Sequence, residues 1–316
     1  MSNSVVESLV ALPERRVAVA GIGHIAVAVA DLDAARAFYC DVLGFADKGA
    51  DAIPNCGRHR AVAAASGQRV ALTVDAALPP ADTGIHQAYR VSPSARAEIL
   101  GRLAARRIAV STYREDRPAE QEDNCYFIDP FGNRVQLVAA PAAPGGGPMI
   151  AAIDHVGVQC ADVEWMEMLY VGGFGMTMNH LVGASTADYV RATAWGEGKE
   201  DMAPGTRRWD KRFYVAPGQT PMVARPNMQF FLNAGADIFG VFLATKHDQE
   251  PPEEAIVGAP RTAFVVPERE LERVAEILRE ARQPMVGPVS HPAAVGWAAS
   301  IYFKDPGANF IEFRTP

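Results

Sequence analysis

Three of the chain's seven histidines open apolar strands of one pattern: His24 in HIAVAV, His86 in HQAYRV and His155 in HVGVQC. A fourth segment of the same form, RTAFVV, opens on Arg261 instead. Recurrence at one position of a repeated strand argues for shared chemistry rather than three unrelated packing solutions. A neutral imidazole ligates divalent metals and, near neutral pH, moves protons. Two imidazoles and one carboxylate hold divalent iron or manganese on one face and leave the opposite face open to substrate and O2. The end of the chain supplies a carboxylate and two further polar groups, with His291 preceding Tyr302 and Tyr302 standing ten residues before Glu312.

The elements that must position these groups also repeat. GHIAVAVADLDAARAFYCDVLGF (23–45) and DHVGVQCADVEWMEMLYVGGF (154–174) each read as an apolar strand followed by a helix that starts at Asp and stops at glycine before phenylalanine. Asp31 and Asp162 suit N-caps, and Gly44 and the Gly172-Gly173 pair suit stops. Ala35, Phe38, Tyr39, Val42 and Leu43 give the first helix one apolar face, as Trp165, Met168 and Leu169 do in the second. Each half then carries a strand and a Pro-started helix, where Leu271, Val274, Ala275 and Leu278 form one stripe. Each half closes with strand, Asp-Pro turn, strand: Tyr126 to Gln136 in one, Tyr302 to Glu312 in the other. Four strand-helix-three-strand units result, separated in the middle by the Ala/Pro/Gly-rich stretch AAPAAPGGGPM from Ala139 to Met149.

Composition narrows the function classes. A net charge of −7 with no Lys/Arg-rich run argues against nucleic-acid and membrane-surface partners. No run of 18 apolar residues predicts a membrane span, and residues 1–16, with Glu7, Glu14, Arg15 and Arg16, do not read as a signal peptide. The four cysteines lack CxxC spacing and fit a reducing cytoplasm, with Cys40 and Cys160 expected in the core.

Strand-helix-three-strand units, paired twice, resemble the vicinal oxygen chelate superfamily of glyoxalases, fosfomycin-resistance proteins and extradiol dioxygenases, over about residues 20–316. The resemblance implies an α+β fold of four βαβββ units, paired into two cup-shaped mixed-sheet domains with helices outside. Its expected boundaries are a tail at 1–19, a domain at 20–141, a linker at 142–150 and a second, catalytic domain at 151–316. Metal ligands in the family come from the first and last strands of the units. Here these are His24, His86, His155 and Arg261, and, on the last strands, Ala71, Gln136, Phe242 and Glu312. The N-terminal half then offers His24, His86 and Gln136 without an anionic ligand. The C-terminal half offers His155 and Glu312, with Arg261 where a second histidine belongs.

The second half is similar to two-domain extradiol ring-cleaving dioxygenases. His247 lies fourteen residues before Arg261, and GPVSHPAAVGWAASIYFKDPGANFIEF resembles the family's signature, apart from a longer stretch after His291 and Ala308 at a glycine or proline position. The resemblance implies Fe(II), or Mn(II) as an alternative, held by His155, His247 and Glu312. His247 would act as acid-base residue, and His291 and Tyr302 would position a small aromatic substrate beside O2. This requires a strand shortened near Gly258-Ala259-Pro260 so that His247 replaces Arg261. Otherwise the domain is metal-free and Arg261 binds a carboxylate or phosphate. A glyoxalase-type isomerase or lyase, a non-catalytic binding protein and a homo-oligomer are also implied, and the insert at about 181–226 reads as a lid, a subunit contact or a solvated loop.

Overall fold

Period-two alternation gives the long strands two unlike faces. In β1 (Gly21–Ala28) Ile25 and Val27 enter the main core while Ala26 joins a separate small cluster; in β16 (Phe310–Arg314) Ile311 and Phe313 enter the core and Glu312 does not. The computed structural model describes residues 17–74, 85–112, 124–141, 148–160, 163–182, 229–243, 255–305 and 307–316. After β1 come α1 (Leu32–Arg36, continued by a wider turn over Ala37–Val42), β2 (Ala46–Gly49), β3 (His59–Ala63) and β4 (Arg69–Thr73). The second unit is β5 (His86–Val91), α2 (Pro93–Ala105), β6 (Ser111–Thr112), β7 (Asn124–Ile128) and β8 (Arg134–Ala139). The third is β9 (Ile150–Cys160), α3 (Val163–Met166, continued over Glu167–Gly173), β10 (Thr177–Val182), β11 (Gln229–Ala234) and β12 (Asp237–Leu243). The fourth is β13 (Arg261–Val265), α4 (Glu268–Glu280), β14 (Met285–Ser290), β15 (Ala299–Lys304) and β16.

The helices form as their caps and stripes require. Asp31 accepts a hydrogen bond from the Ala34 amide at 2.7 Å, and Ser92 caps α2 ahead of Pro93. Ala35, Phe38, Tyr39, Val42 and Leu43 are buried, as are Trp165, Met168 and Leu169 and the Leu271–Leu278 stripe. These faces join one core with Tyr89, Phe127, Phe239, Phe264 and Phe313 from the strands. Asp162 lies outside the described residues. Cys40 is only half-buried, which corrects its expected core position, while Cys56 and Cys125 are buried. Among the described residues no helix is long and apolar enough to cross a membrane.

Among the described residues the strands form two mixed eight-stranded sheets, β14-β15-β16-β13-β1-β4-β3-β2 and β10-β11-β12-β9-β5-β8-β7-β6. Sheet one therefore joins the first unit to the fourth through antiparallel β1 and β13, and sheet two joins the second to the third through antiparallel β5 and β9. This corrects the expected pairing of sequence neighbours, one with two and three with four. All four first strands offer similar backbone edges, so the residue pattern does not specify which edges meet.

Sequence neighbours are instead tied through their Asp-Pro turns. Tyr39 donates to Asp129 at 2.9 Å, and Asn133 donates to the Ala28 carbonyl at 2.7 Å. The second half repeats both ties, from Tyr170 to Asp305 at 2.9 Å and from Asn309 to the Gln159 carbonyl at 2.7 Å. Burial pushes the Asp305 carboxyl up to about 6 against the pull of these donors. At the tip of each turn one residue takes positive φ: Gly132 at 93° in the first copy and Ala308 at 64° in the second.

Candidate functional site

Strand register identifies the equivalent positions. Within each unit the first and last strands run parallel, pairing Ala26 with Ala71, Ala88 with Gln136, Gly157 with Gly240 and Ala263 with Glu312. Each of these first-strand residues follows the His24, His86, His155 or Arg261 position by two. Gly240, not Phe242, is thus the counterpart of Ala71, Gln136 and Glu312. One cup brings together His24, Ala71, Arg261 and Glu312, and the other His86, Gln136, His155 and Gly240.

The first cup is closed by its own chain. Glu312 and His24 have no solvent exposure and Arg261 is 2% exposed. Glu312 Oε2 lies 3.1 Å from His24 Nε2 and 3.0 Å from Arg261 Nε, although neither contact is aligned as a hydrogen bond. Its Oε1 accepts from Ser300 Oγ at 2.7 Å. The Arg261 guanidinium also donates to the Asn55 and Pro54 carbonyls at 2.9 and 2.7 Å and to Cys56 Sγ at 3.0 Å. Trp297 stacks on His24 at 5.2 Å between ring centres and donates to Ser300 Oγ. Ile53, Cys56, Val295 and Trp297 pack with Ala26, Ala61 and Ala71 in a small apolar cluster of their own. Burial alone would raise the Glu312 carboxyl, but the charges of His24 and Arg261 bring it down to about 2. Burial lowers His24, opposed by Glu312. A divalent cation does not fit here: a permanently charged guanidinium fills the ligand position and already neutralises the carboxylate.

The second cup presents a different set. His86 Nε2 and His155 Nε2 are 2.9 Å apart, and His155 Nδ1 lies 2.7 Å from Asp154 Oδ2. A carboxylate only accepts, so Asp154 keeps the proton on Nδ1 and leaves the His155 Nε2 lone pair facing His86. Arg90 Nε donates to Asp154 at 2.6 Å. Burial opposes ionisation of Asp154, but its bonds to His155 and Arg90 hold the carboxyl below the usual carboxylate range. Gln136 donates from its amide nitrogen to Asn124 at 3.0 Å. Phe242 meets the His86 ring edge-on at 5.2 Å and Phe231 meets His155 at 5.8 Å. A Cβ at Gly240 would stand 2.9 Å from the Phe242 ring, so glycine lets these rings lie against the sheet.

The two imidazoles hydrogen-bond to one another at 2.9 Å, a separation that two ligands of one metal would also adopt. Two imidazole nitrogens bound at about 2.1 Å in neighbouring positions of an octahedral ion sit about 3.0 Å apart. Among the described residues no group of three or more His, Cys, Asp or Glu is placed to hold an ion, so a third ligand has to be a side chain of another type.

Of the expected ligand set His155, His247 and Glu312, the pair His155 and Glu312 is not brought together. His155 lies on β9 of sheet two and Glu312 on β16 of sheet one, and His247 lies outside the described residues, as does nearly all of the 181–226 insert. His291 and Tyr302 do converge with Glu312, through Ser300 Oγ at 2.9 Å from His291 Nε2 and a 3.4 Å approach of Tyr302 to the same nitrogen. Their cup, however, is the one that Arg261 closes. Burial pushes the Tyr302 hydroxyl up to about 12 and lowers His291.

Sequence reasoning missed Asp154, because alternation turns the residue before His155 to the opposite face. The β5/β9 register pairs Ala88 with His155 and Tyr89 with Ile153, skipping Asp154 as a bulge, and the bulge brings its carboxylate to the histidine. Gly23 is skipped in the same way just before His24.

A family model described as "Glyoxalase/Bleomycin resistance protein/Dioxygenase superfamily" matches residues 21–137. A search of the curated proteins finds no significant match. Among solved structures, the fold resembles a candidate dioxygenase from Bacillus subtilis subsp. subtilis str. 168, with TM-score 0.60 and 13% identity over 94% of this chain and 85% of that one. It also resembles glyoxalase I from Zea mays, with TM-score 0.57 and 14% identity over 93% of this chain and 92% of that one. At these identities the likeness shows the fold alone.

Proposed function

We propose that this chain, whose residues 21–137 match a glyoxalase/bleomycin resistance protein/dioxygenase family model, is a metal-dependent enzyme working from its second cup, with His86, His155 and Gln136 as ligands of a divalent ion. The observation that carries this reading is the 2.9 Å approach of the two Nε2 atoms with Asp154 behind one of them.

When bound, the ion supplies Lewis acidity that favours the deprotonated form of a substrate offering two neighbouring oxygens. All three protein ligands are neutral, so a chelating substrate that becomes anionic balances the charge. Asp154 fixes the tautomer and ring orientation of His155, and Arg90 keeps Asp154 ionised. Phe231 and Phe242 wall the site with apolar rings that exclude water and suit a planar ligand.

Ferrous oxygenase sites commonly combine two histidines with a carboxylate, whereas Gln136 brings none. This favours a glyoxalase-type isomerase or lyase over chemistry with O2. Ring opening of a small catecholic substrate by Fe(II) or Mn(II) with O2 is the second reading, favoured by the two phenylalanine walls. The free cysteines Cys40, Cys56 and Cys125 support placement in a reducing cytoplasm.

Metal analysis after anaerobic reconstitution tests the site: wild type takes up metal and His155→Ala does not. Full uptake by His155→Ala would refute the assignment. Oxygen consumption with a panel of catechols then separates the two reactions, since an isomerase consumes none.

A further inference from the structure

We propose that the cup between β1 and β13 is a latent metal site in which the Arg261 guanidinium has taken the place of the cation. Three observations carry this. Arg261 occupies the register position filled by histidine in the other three units. His24 Nε2 and Glu312 Oε2 converge to 3.1 Å, the approach expected of two groups facing one ion. Arg261 Nε lies 3.0 Å from that same carboxylate oxygen, bringing positive charge to the point of convergence.

The orphaned atoms agree. His24 Nδ1 and Nε2, Glu312 Oε2 and Arg261 Nε are all buried without an aligned hydrogen-bond partner, as in a ligand cluster whose central ion has been exchanged for a neighbouring charge. The remaining guanidinium nitrogens are held by Pro54, Asn55 and Cys56, so the cation is locked in place. It cannot be discharged near neutral pH, and a divalent ion brought beside it meets repulsion in a buried environment. Cys56 Sγ, 3.0 Å from the guanidinium, adds a further donor to the space that Arg261 occupies.

The inference concerns the first cup and stands independently of metal binding in the second. It is tested with the full chain by titrating Co(II) and Zn(II) into wild type and Arg261→His and measuring bound metal per chain after dialysis. Arg261→His is expected to retain about one equivalent more than wild type, with visible cobalt absorption of a site containing nitrogen and oxygen ligands. His24→Gln added to Arg261→His removes that increment. A thiolate charge-transfer band that Cys56→Ser abolishes identifies the sulfur as a fourth ligand. In wild type, His24→Gln and Glu312→Gln leave bound metal unchanged.

A folded Arg261→His that binds no more metal than wild type overturns the proposal, as does metal loss from wild type on His24→Gln. Should Arg261→His fail to fold, Arg261→Ala titrated with added imidazole tests the same position. The wild-type baseline reports on the second cup and the increment on the first, so failure of either reading is seen separately.

Discussion

Replacing Arg261 by methionine keeps most of the side-chain volume and removes the charge facing Glu312. The carboxylate has no solvent exposure, and its ordinary value of 4.5 is lowered to about 2 in the fold. That interval corresponds to about 3 kcal/mol of preference for the ionised form. Without the guanidinium, His24 and the Ser300 hydroxyl alone oppose burial at Glu312, and breaking a buried pair by removing one partner costs about 3–5 kcal/mol. Arg261→Met is expected to lose that amount, a fall of about 1 M or more in the urea midpoint at a slope near 3 kcal/mol/M. Glu312→Gln keeps an acceptor for Ser300 Oγ, and the double variant removes both charges of the pair. The cycle should therefore show a coupling of about 2 kcal/mol or more. The pH dependence has a definite sign. Because the folded carboxyl is depressed, its contribution is fully present above about pH 4.5 and is lost as pH falls through about 2, so the gap between wild type and Arg261→Met narrows over that range. Urea unfolding followed by circular dichroism at several pH values reads all of this. A single-variant cost below about 1 kcal/mol, or simple additivity in the double variant, would refute the buried pair as an energetic unit.

In the second cup, Asp154→Asn is expected to weaken metal affinity about 10- to 100-fold while leaving the fold intact, measured by competition with a chelating dye; unchanged affinity would remove its positioning role. Ala308→Gly relieves a left-handed conformation and should stabilise the chain by about 1 kcal/mol in thermal unfolding, where a loss would count against strain at that turn. Tyr170→Phe removes a donor to the buried Asp305 and should cost about 1–2 kcal/mol at pH 7.5. Since burial pushes the Asp305 carboxyl up to about 6, it is largely protonated at pH 5 and needs that donor less, so the cost should be smaller there. Equal costs at the two pH values would contradict the ionised carboxylate as the acceptor.

Much of this architecture was legible in residue patterns, and the reasons differ by element. Asp31, Ser92 and the stripe on α4 act within a few residues of themselves, where capping and helical period decide the outcome. The cup-facing positions of His24, His86, His155 and Glu312 came from aligning the repeated strands with the superfamily they resemble. Which of them share a cup did not, because pairing is made by backbone edges of similar strands far apart in the chain. Asp154 was hidden by a bulge that suspends alternation for one residue. Aligning the last strands by sequence also misplaced the cup-facing position of β12 at Phe242, where the register gives Gly240.

The exchange of strands between halves makes the chain a covalently closed version of a two-body assembly. Each half lends one wall to both compartments, so neither half can drift toward a new chemistry without changing the other's surroundings. A break within residues 142–147 would leave two fragments still clasped edge to edge, and a half produced by itself would carry ligands with nothing opposite them.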